Sequence, residues 1–247
     1  MFDDKTGVII LAAGKGTRMR SSQAKVLHPL AGRPMIAYVL DTAVRIAGSN
    51  TVVVIGNQAD EVRRQVSERA KVSFAYQHEQ LGTGHAVQCA LPELASHIEN
   101  VIILCGDVPL IRERTLGRLV DSHLRAKHAV TLLGVSLDNP KGYGRVVTDT
   151  GGKVSRIVEE ADATAAEKKI ATINSGIYSV RRAFLETALS QLKPDNAQNE
   201  IYLTDIIGIA VRSAQPVGMM IAEAYAELLG VNTVEDLQRV ETLLSAS

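Results

Sequence analysis

Lys5, Lys15, Arg18, Arg20, Lys25 and Arg33 all fall within a stretch, Lys5 to Leu40, that contains no Asp or Glu. The chain as a whole is balanced, with 27 Lys+Arg against 27 Asp+Glu. The positive charge is therefore segregated, not general, and local segregation of this kind suits an anion such as phosphate. The run Leu11-Ala12-Ala13-Gly14-Lys15-Gly16-Thr17-Arg18-Met19 lies inside that stretch. Gly14 and Gly16 lack a Cβ, so backbone N–H groups around them can approach an anion closely. Two commoner phosphate motifs are excluded. The chain has no G-x-x-x-x-G-K-[ST], and Met19 stands where a dinucleotide fingerprint needs its third glycine. The second apolar run also ends in Gly56-Asn57-Gln58, without the acidic residue that would bind a ribose.

A phosphate loop needs a strand to present it. Gly7–Ala13, Thr51–Gly56, Lys71–Gln77, Asn100–Cys105 and Ala129–Ser136 read as strands, several almost wholly apolar, as in a parallel sheet covered on both faces. Helical patterns lie between them. Pro34 stands at a first-turn position, Gly48 ends that helix, and Ala59–Ala70, His85–Leu94 and Glu113–Lys127 supply others. Such alternation predicts a doubly wound α/β sheet whose ligand crevice lies beyond the carboxyl ends of the strands, where the first loop sits. The rhythm then changes. Asp149-Thr150-Gly151-Gly152 between Arg145–Thr148 and Lys153–Glu159 signals a hairpin. Ile170–Val180 reads as a strand, Arg181–Leu192 as a helix, Pro194–Asn199 as a polar loop, Tyr202–Ser213 as a helix and Pro216–Ala222 as a last strand. A final helix starts near Thr233, where Thr233 and Asp236 resemble a capping box, and Val234, Leu237, Val240, Leu243 and Leu244 form its apolar stripe.

The 247 residues are 46% hydrophobic and 22% charged, which suits a folded globular chain of one or two domains. One elaborated α/β domain over 1–247 is the expectation, ending in a C-terminal helix 233–247. Balanced charge argues against nucleic acid and anionic membrane as partners. No apolar run approaches the roughly 18–20 residues of a membrane span, and no signal peptide is visible, so the expected location is cytoplasmic. Cys89 and Cys105 match no zinc or disulfide pattern. Cys89 is expected in the core. His85 reads as a packing or capping residue, and His78, His97, His123 and His128 as surface positions.

The loop, followed by Pro29-Leu30-Ala31-Gly32-Arg33-Pro34-Met35, resembles the sugar-phosphate nucleotidyltransferases. Gln77-His78-Glu79-Gln80-Leu81-Gly82-Thr83-Gly84-His85-Ala86 is similar to the uridine-binding segment of the bacterial N-acetylglucosamine-1-phosphate uridylyltransferases. Gly106-Asp107-Val108-Pro109-Leu110, Gly142-Tyr143-Gly144-Arg145, Ile157-Val158-Glu159, Ile173-Asn174-Ser175-Gly176, Tyr202-Leu203-Thr204-Asp205 and Gly230-Val231-Asn232 follow in that family's order. The resemblance implies a Rossmann-like nucleotidyltransferase fold, with a mixed, mostly parallel sheet between helices, and divides the chain into a nucleotide-binding part about 1–137 and a sugar-binding part about 138–232. It also implies UTP and N-acetylglucosamine 1-phosphate as substrates, and Mg²⁺ as cofactor. Three departures stand out. Cys105 replaces a frequent aromatic residue, Ser175 replaces a more usual Thr, and the sequence stops shortly after Asn232. The bifunctional members continue into a left-handed β-helix that carries an acetyltransferase. The expectation here is therefore uridylyl transfer without acetylation, by a monomer or weak dimer.

Within that resemblance each residue type suits its task. Asp107, directly after an apolar strand, is the first metal ligand expected and Asn232 the second, since Mg²⁺ takes few hard oxygens and keeps waters. Lys25 is a mobile point charge and Arg18 a fork, both fitted to phosphate oxygens, with Lys15 and Arg20 in support. Leu11, Ala12, Ala13 and Gly14 would hold the nucleotide, with Thr83, Cys105 and Gly106. Gln77 and Gly82 would read uracil, whose acceptors and N–H donor match a carboxamide and backbone groups. Gly144, Glu159, Asn174 and Thr204 would line the sugar pocket together with Asn232. Asn174 lies in an otherwise apolar strand, and a buried amide needs partners. Transfer of another nucleotide or to another sugar phosphate, and a non-catalytic sugar-nucleotide sensor, are the alternatives. A dinucleotide oxidoreductase is excluded by the missing glycine and acid.

Overall fold

The computed structural model describes residues 3–245. Along the chain run β1 (Thr6–Leu11), the two-residue strands β2 (Pro29–Leu30) and β3 (Arg33–Pro34), α1 (Met35–Ala47), β4 (Thr51–Ile55) and α2 (Ala59–Ser67). Then come β5 (Ser73–Tyr76), α3 (Thr83–Ala90), β6 (Asn100–Cys105), α4 (Glu113–Arg125) and β7 (Val130–Ser136). The remainder is β8 (Arg145–Thr148), β9 (Val154–Val158), β10 (Thr172–Arg181), α5 (Arg182–Leu189), α6 (Asp205–Arg212), β11 (Val217–Ile221) and α7 (Val234–Ser245). Seven strands line up as β11-β7-β10-β6-β1-β4-β5, with β8 attached to β10 and β9 to β8. β10 is antiparallel to both β6 and β7, so it is the one reversed strand among the seven.

Period-two side-chain alternation explains why the central strands are apolar throughout. Ile9, Val52, Val54, Val101 and Ile103 face one core layer, under α3, α5 and α6. Val8, Ile10, Val53, Ile55, Ile102 and Leu104 face the other, under α1, α2 and α4. The chain leaves β1 toward β4 on one side, while β6 joins on the other. Leu11 and Cys105 end level with each other at this switch, where doubly wound sheets open a crevice.

Several boundaries differ from the sequence expectation, for local reasons. The Leu203 N–H donates to Thr83 Oγ1 at 3.0 Å, which pins that segment to another loop, and α6 starts at Asp205 instead of Tyr202. Pro92 lacks an N–H, so the helix ends at Ala90 and Leu91–Glu93 becomes a 3₁₀ turn. Pro34 precedes its helix with ψ 136 and belongs to β3. α2 stops at Ser67 and β5 spans only Ser73–Tyr76. The hairpin forms, with Asp149 Oδ1 accepting from the N–H of Gly151 and of Lys153. At α7 the capping box is reciprocal. The Thr233 N–H donates to Asp236 Oδ2 at 2.9 Å, and the Asp236 N–H to Thr233 Oγ1 at 3.1 Å.

α7 packs back through Val240, Leu237 and Leu244 onto Met19, Leu30 and Met35, which fixes the approach of Val231 and Asn232. Val234 departs from the expected stripe and is exposed, because it opens the helix before the packed face begins. Positions 246–247 of that expected helix lie outside the described residues. No helix among the described residues is long and apolar enough to cross a membrane.

Candidate functional site

Where β1 and β6 end, a cleft of about 470 Å³ opens. Its floor is the loop after β1. The Ala12 N–H donates to the Val54 carbonyl, and the Leu11 carbonyl accepts from the Gly106 N–H at 2.9 Å. Leu11, Ala12, Ala13 and Gly14 line it, continued by Lys15, Gly16 and Thr17. Gly16 has φ +61, and a Cβ there would come within 2.6 Å of the Lys25 side chain, so this glycine lets Lys25 fold over the loop. Gly106 is buried behind the wall, with its missing Cβ only 3.0 Å from the Leu11 carbonyl oxygen.

Three side chains from distant parts of the sequence meet at the inner end. The Lys25 ammonium donates to Asp107 Oδ2 and, at 3.1 Å, to Asn232 Oδ1. Arg18 Nη2 donates to the same Asn232 oxygen at 2.9 Å. The Val231 N–H donates to the Asp107 carbonyl at 2.9 Å and locks the two oxygen-bearing loops together. Asp107 and Asn232 thus offer two hard oxygens to one positive charge. That donor set fits Mg²⁺, which needs few protein oxygens when waters and phosphates complete its shell. Among the described residues, no group of three or more His, Cys, Asp or Glu forms a larger metal site. Of the other basic residues, Lys5 and Arg33 turn away to Glu99 and Asp41.

The opposite wall holds Gln77, Gly82 and Thr83. Gln77 is buried, and its Nε2 donates to the Gly82 carbonyl at 2.9 Å. Gly82 has φ +117, and a Cβ would lie 2.5 Å from the Ile201 carbonyl oxygen. This wall is therefore fastened to the segment before α6. The Ile201 N–H donates to the Leu81 carbonyl and the Gly84 N–H to the Ile201 carbonyl. His85 packs as expected beside Gln77, with Nδ1 3.0 Å from the Glu79 carbonyl, and Cys89 is half-buried one turn on.

Gly144, Glu159, Asn174 and Thr204 form a second cluster outside the cleft lining. Thr204 Oγ1 donates to Glu159 Oε1 at 3.1 Å. The missing Cβ of Gly144 lies 3.1 Å from Glu159 Oε2, and the Gly144 carbonyl accepts from the Asn174 N–H at 2.8 Å. Asn174 is buried and finds its partners within a bulge of β10: Nδ2 donates to the Tyr178 hydroxyl at 2.7 Å and Oδ1 accepts from the Gly176 N–H. Cys105 joins the two clusters, since it lines the cleft and its thiol donates to the Gly176 carbonyl at 3.6 Å. Burial, then the charge of Asp107, pushes this thiol up to about 12. Glu159 is held above its ordinary carboxylate value by desolvation first, with the Thr204 hydroxyl partly offsetting it.

Three features escaped the sequence reading. Gln80 and Glu200 also line the cleft. Gln80 stood inside the quoted Gln77–Ala86 segment, whereas Glu200 is placed by Asn196, whose side chain bonds its N–H and carbonyl, and no local signal marks it. His123 is a correction: it is fully buried on α4 with Nδ1 3.0 Å from Thr131 Oγ1, because its helix face turns inward beside Leu119 and Val120. His128 is half-buried against the same hydroxyl, while His78 and His97 are exposed.

The pattern of the nucleotidyl transferase family matches residues 7–238. The chain belongs to that family. It is 47% identical over 227 residues to the bifunctional protein GlmU of Trichlorobacter lovleyi, covering 92% of this chain and 49% of that protein. To the bifunctional protein GlmU of Geotalea uraniireducens it is 49% identical over 242 residues, covering 96% and 52%. The chain thus spans about half the length of these relatives. The fold is shared with HddC from Yersinia pseudotuberculosis, with a TM-score of 0.69, 21% identity and coverage of 96% and 99%. A Bacillus anthracis crystal structure in complex with sucrose aligns with a TM-score of 0.74 at 20% identity, covering 96% and 94%. This nucleotidyl transferase has the expected architecture, a mostly parallel α/β sheet between helices.

Proposed function

We propose that this nucleotidyl transferase is a uridylyltransferase, joining UTP and N-acetylglucosamine 1-phosphate to give UDP-N-acetylglucosamine and pyrophosphate. The observation that carries the reading is the meeting of Lys25, Arg18, Asp107 and Asn232 at the inner end of a cleft whose far wall is Gln77 and Gly82. The long similarity to the GlmU proteins supports it.

A phosphate oxygen of the sugar phosphate forms a bond to the α-phosphorus of UTP. The bond from that phosphorus to the bridging oxygen breaks, and pyrophosphate leaves with the electron pair. A phosphate monoester loses its second proton with a pKa of about 6, so the nucleophile is already charged at neutral pH and needs no general base. The obstacle is bringing two anions together, which positioning and charge neutralisation overcome. Lys25 and Arg18 supply mobile positive charge over the loop of Leu11–Gly14. Asp107 and Asn232 would hold Mg²⁺, which adds positive charge beside the phosphates when bound. Lys25 gives up these two oxygens as it turns to a phosphate. Gln77 Nε2 is already bonded to Gly82, which leaves its Oε1 to accept the uracil N–H. Thr83 and Cys105 close the walls, and Gly144, Glu159, Asn174 and Thr204 receive the sugar hydroxyls and amide.

Pyrophosphate release across a matrix of nucleoside triphosphates and sugar 1-phosphates tests the whole reading. The expected signal is confined to UTP with N-acetylglucosamine 1-phosphate and requires divalent metal. Turnover with a different pair would replace the substrates, and binding without turnover would make the chain a sensor.

A further inference from the structure

Arg145 is among the largest fully buried side chains of the described residues, at 1% exposure. Its guanidinium reaches three separate segments. Nη1 donates to the Tyr143 carbonyl, and Nη2 donates to Glu160 Oε2 at 2.7 Å and to the Lys168 carbonyl at 3.4 Å. Glu160 Oε2 also accepts from the Gly142 N–H at 3.2 Å. The same pair of residues therefore ties the 142–144 loop, the end of β9 and the turn Glu167–Lys169 into one unit.

Stability does not account for this arrangement. Burying a guanidinium is expensive, and a buried ion pair is often replaceable by apolar packing without loss. Here Arg145 Nε is itself left buried without a hydrogen-bond partner among the described residues. What the fork achieves is relative placement, since each end of the pair sits one residue from a group of the second cluster. Arg145 follows Gly144, and Glu160 follows Glu159. Gly144 and Glu159 are themselves in close approach, and the Gly144 carbonyl anchors Asn174.

Resting on the uridylyltransferase reading, we infer that the Arg145–Glu160 pair is a positioning device for the sugar-phosphate side. Its juxtaposition with Gly142 and Tyr143 sets where Gly144 and Glu159 present their groups. Neither residue touches the nucleotide cleft. Loosening the pair must therefore act on one substrate and not the other.

The test is steady-state kinetics of Glu160→Ala, Glu160→Gln and Arg145→Lys, with each substrate varied in turn, alongside melting temperatures. Glu160 is partly exposed, so its variants keep the fold accessible even if a buried lysine at 145 does not. For Glu160→Ala the KM for the sugar 1-phosphate that the wild-type chain uses is expected to rise about tenfold, with the KM for UTP within about twofold. Glu160→Gln, which keeps an acceptor for Gly142 and Arg145, is expected to fall between wild type and Glu160→Ala. Equal movement of both KM values, or a lower melting temperature with both KM values unchanged, would overturn the positioning role and leave the uridylyltransferase reading intact. A wild-type chain that uses no sugar 1-phosphate would overturn that reading, and this role with it.

Discussion

The two sides of the site are built on opposite principles. The side proposed for the nucleotide is a loop of backbone and small residues at the end of parallel strands, over which long charged side chains fold from afar. The side proposed for the sugar is a set of short polar groups on β10, at the ends of β8 and β9 and at the start of α6, already bonded to one another: Thr204 to Glu159, Asn174 to Tyr178, Asn174 to Gly144. Mobile charges suit a triphosphate, whose charge shifts during reaction. A fixed network suits a sugar, whose hydroxyls differ only in position. Substitutions on the first side should therefore alter turnover, and those on the second should alter the KM of one substrate.

The largest expected effect is on the charged side. Asp107→Asn removes the carboxylate that faces Lys25 and would hold metal, yet it sits just past the carboxyl end of β6, partly exposed in the cleft, instead of in the core. Turnover is expected to fall at least about a hundredfold, near 2.7 kcal/mol in barrier, with the circular dichroism spectrum unchanged. A wild-type rate would break the comparison at its first half.

On the fixed side, Glu159→Gln is expected to raise the sugar-phosphate KM about tenfold while making the protein more stable at neutral pH. The Glu159 carboxyl is held above its ordinary 4.5 by desolvation. Between 4.5 and that raised value the native state holds more protons than the unfolded state. The stability from this group is thus full below pH 4.5 and is lost as pH rises through the window. Removing the ionised group is expected to raise Tm at pH 7 and to flatten that part of the pH profile. A lower Tm in the variant would contradict the desolvation argument.

Gln77→Ala, on the wall proposed to read the base, is expected to cost about 1–3 kcal/mol in kcat/KM with UTP. Other triphosphates should lose less, which narrows the preference. Equal losses with all four would assign Gln77 to supporting Gly82 alone. The smallest expected effect is at the junction. With its thiol pushed up to about 12, Cys105 should resist iodoacetamide at pH 8, as judged by mass spectrometry of the alkylated peptides. Rapid labelling there would show an open joint between the two sides.

The two sides were also unequally legible in the sequence. The phosphate loop announced itself because its cause is local: glycines directly after an apolar strand, in a stretch without acids. Asp107 was readable from its place after β6. Asn232 was reachable only through resemblance, since α7 and the Val231–Asp107 bond bring it in from the other end of the chain. His123 looked like a surface residue because its burial depends on what α4 covers. Arg145 was visible only as the end of the Gly142–Arg145 motif and the role of Glu160 was not readable at all, for a related reason. Apart from each other, their partners are backbone carbonyls and an N–H, which no pattern of side-chain types records.

Gly82 and Ile201 carry an evolutionary consequence. With Ile201 backbone atoms within 2.7 Å of the space a Cβ would occupy at 82, and its side chain 2.8 Å from the equivalent point at Gly84, neither glycine can change alone. The backbone of 199–204 would have to retreat first, and with it Glu200 and Thr204. Across diverging descendants of this sequence, positions 82, 84 and 201 should therefore vary as a set, so that a shift in base preference drags the sugar side along with it.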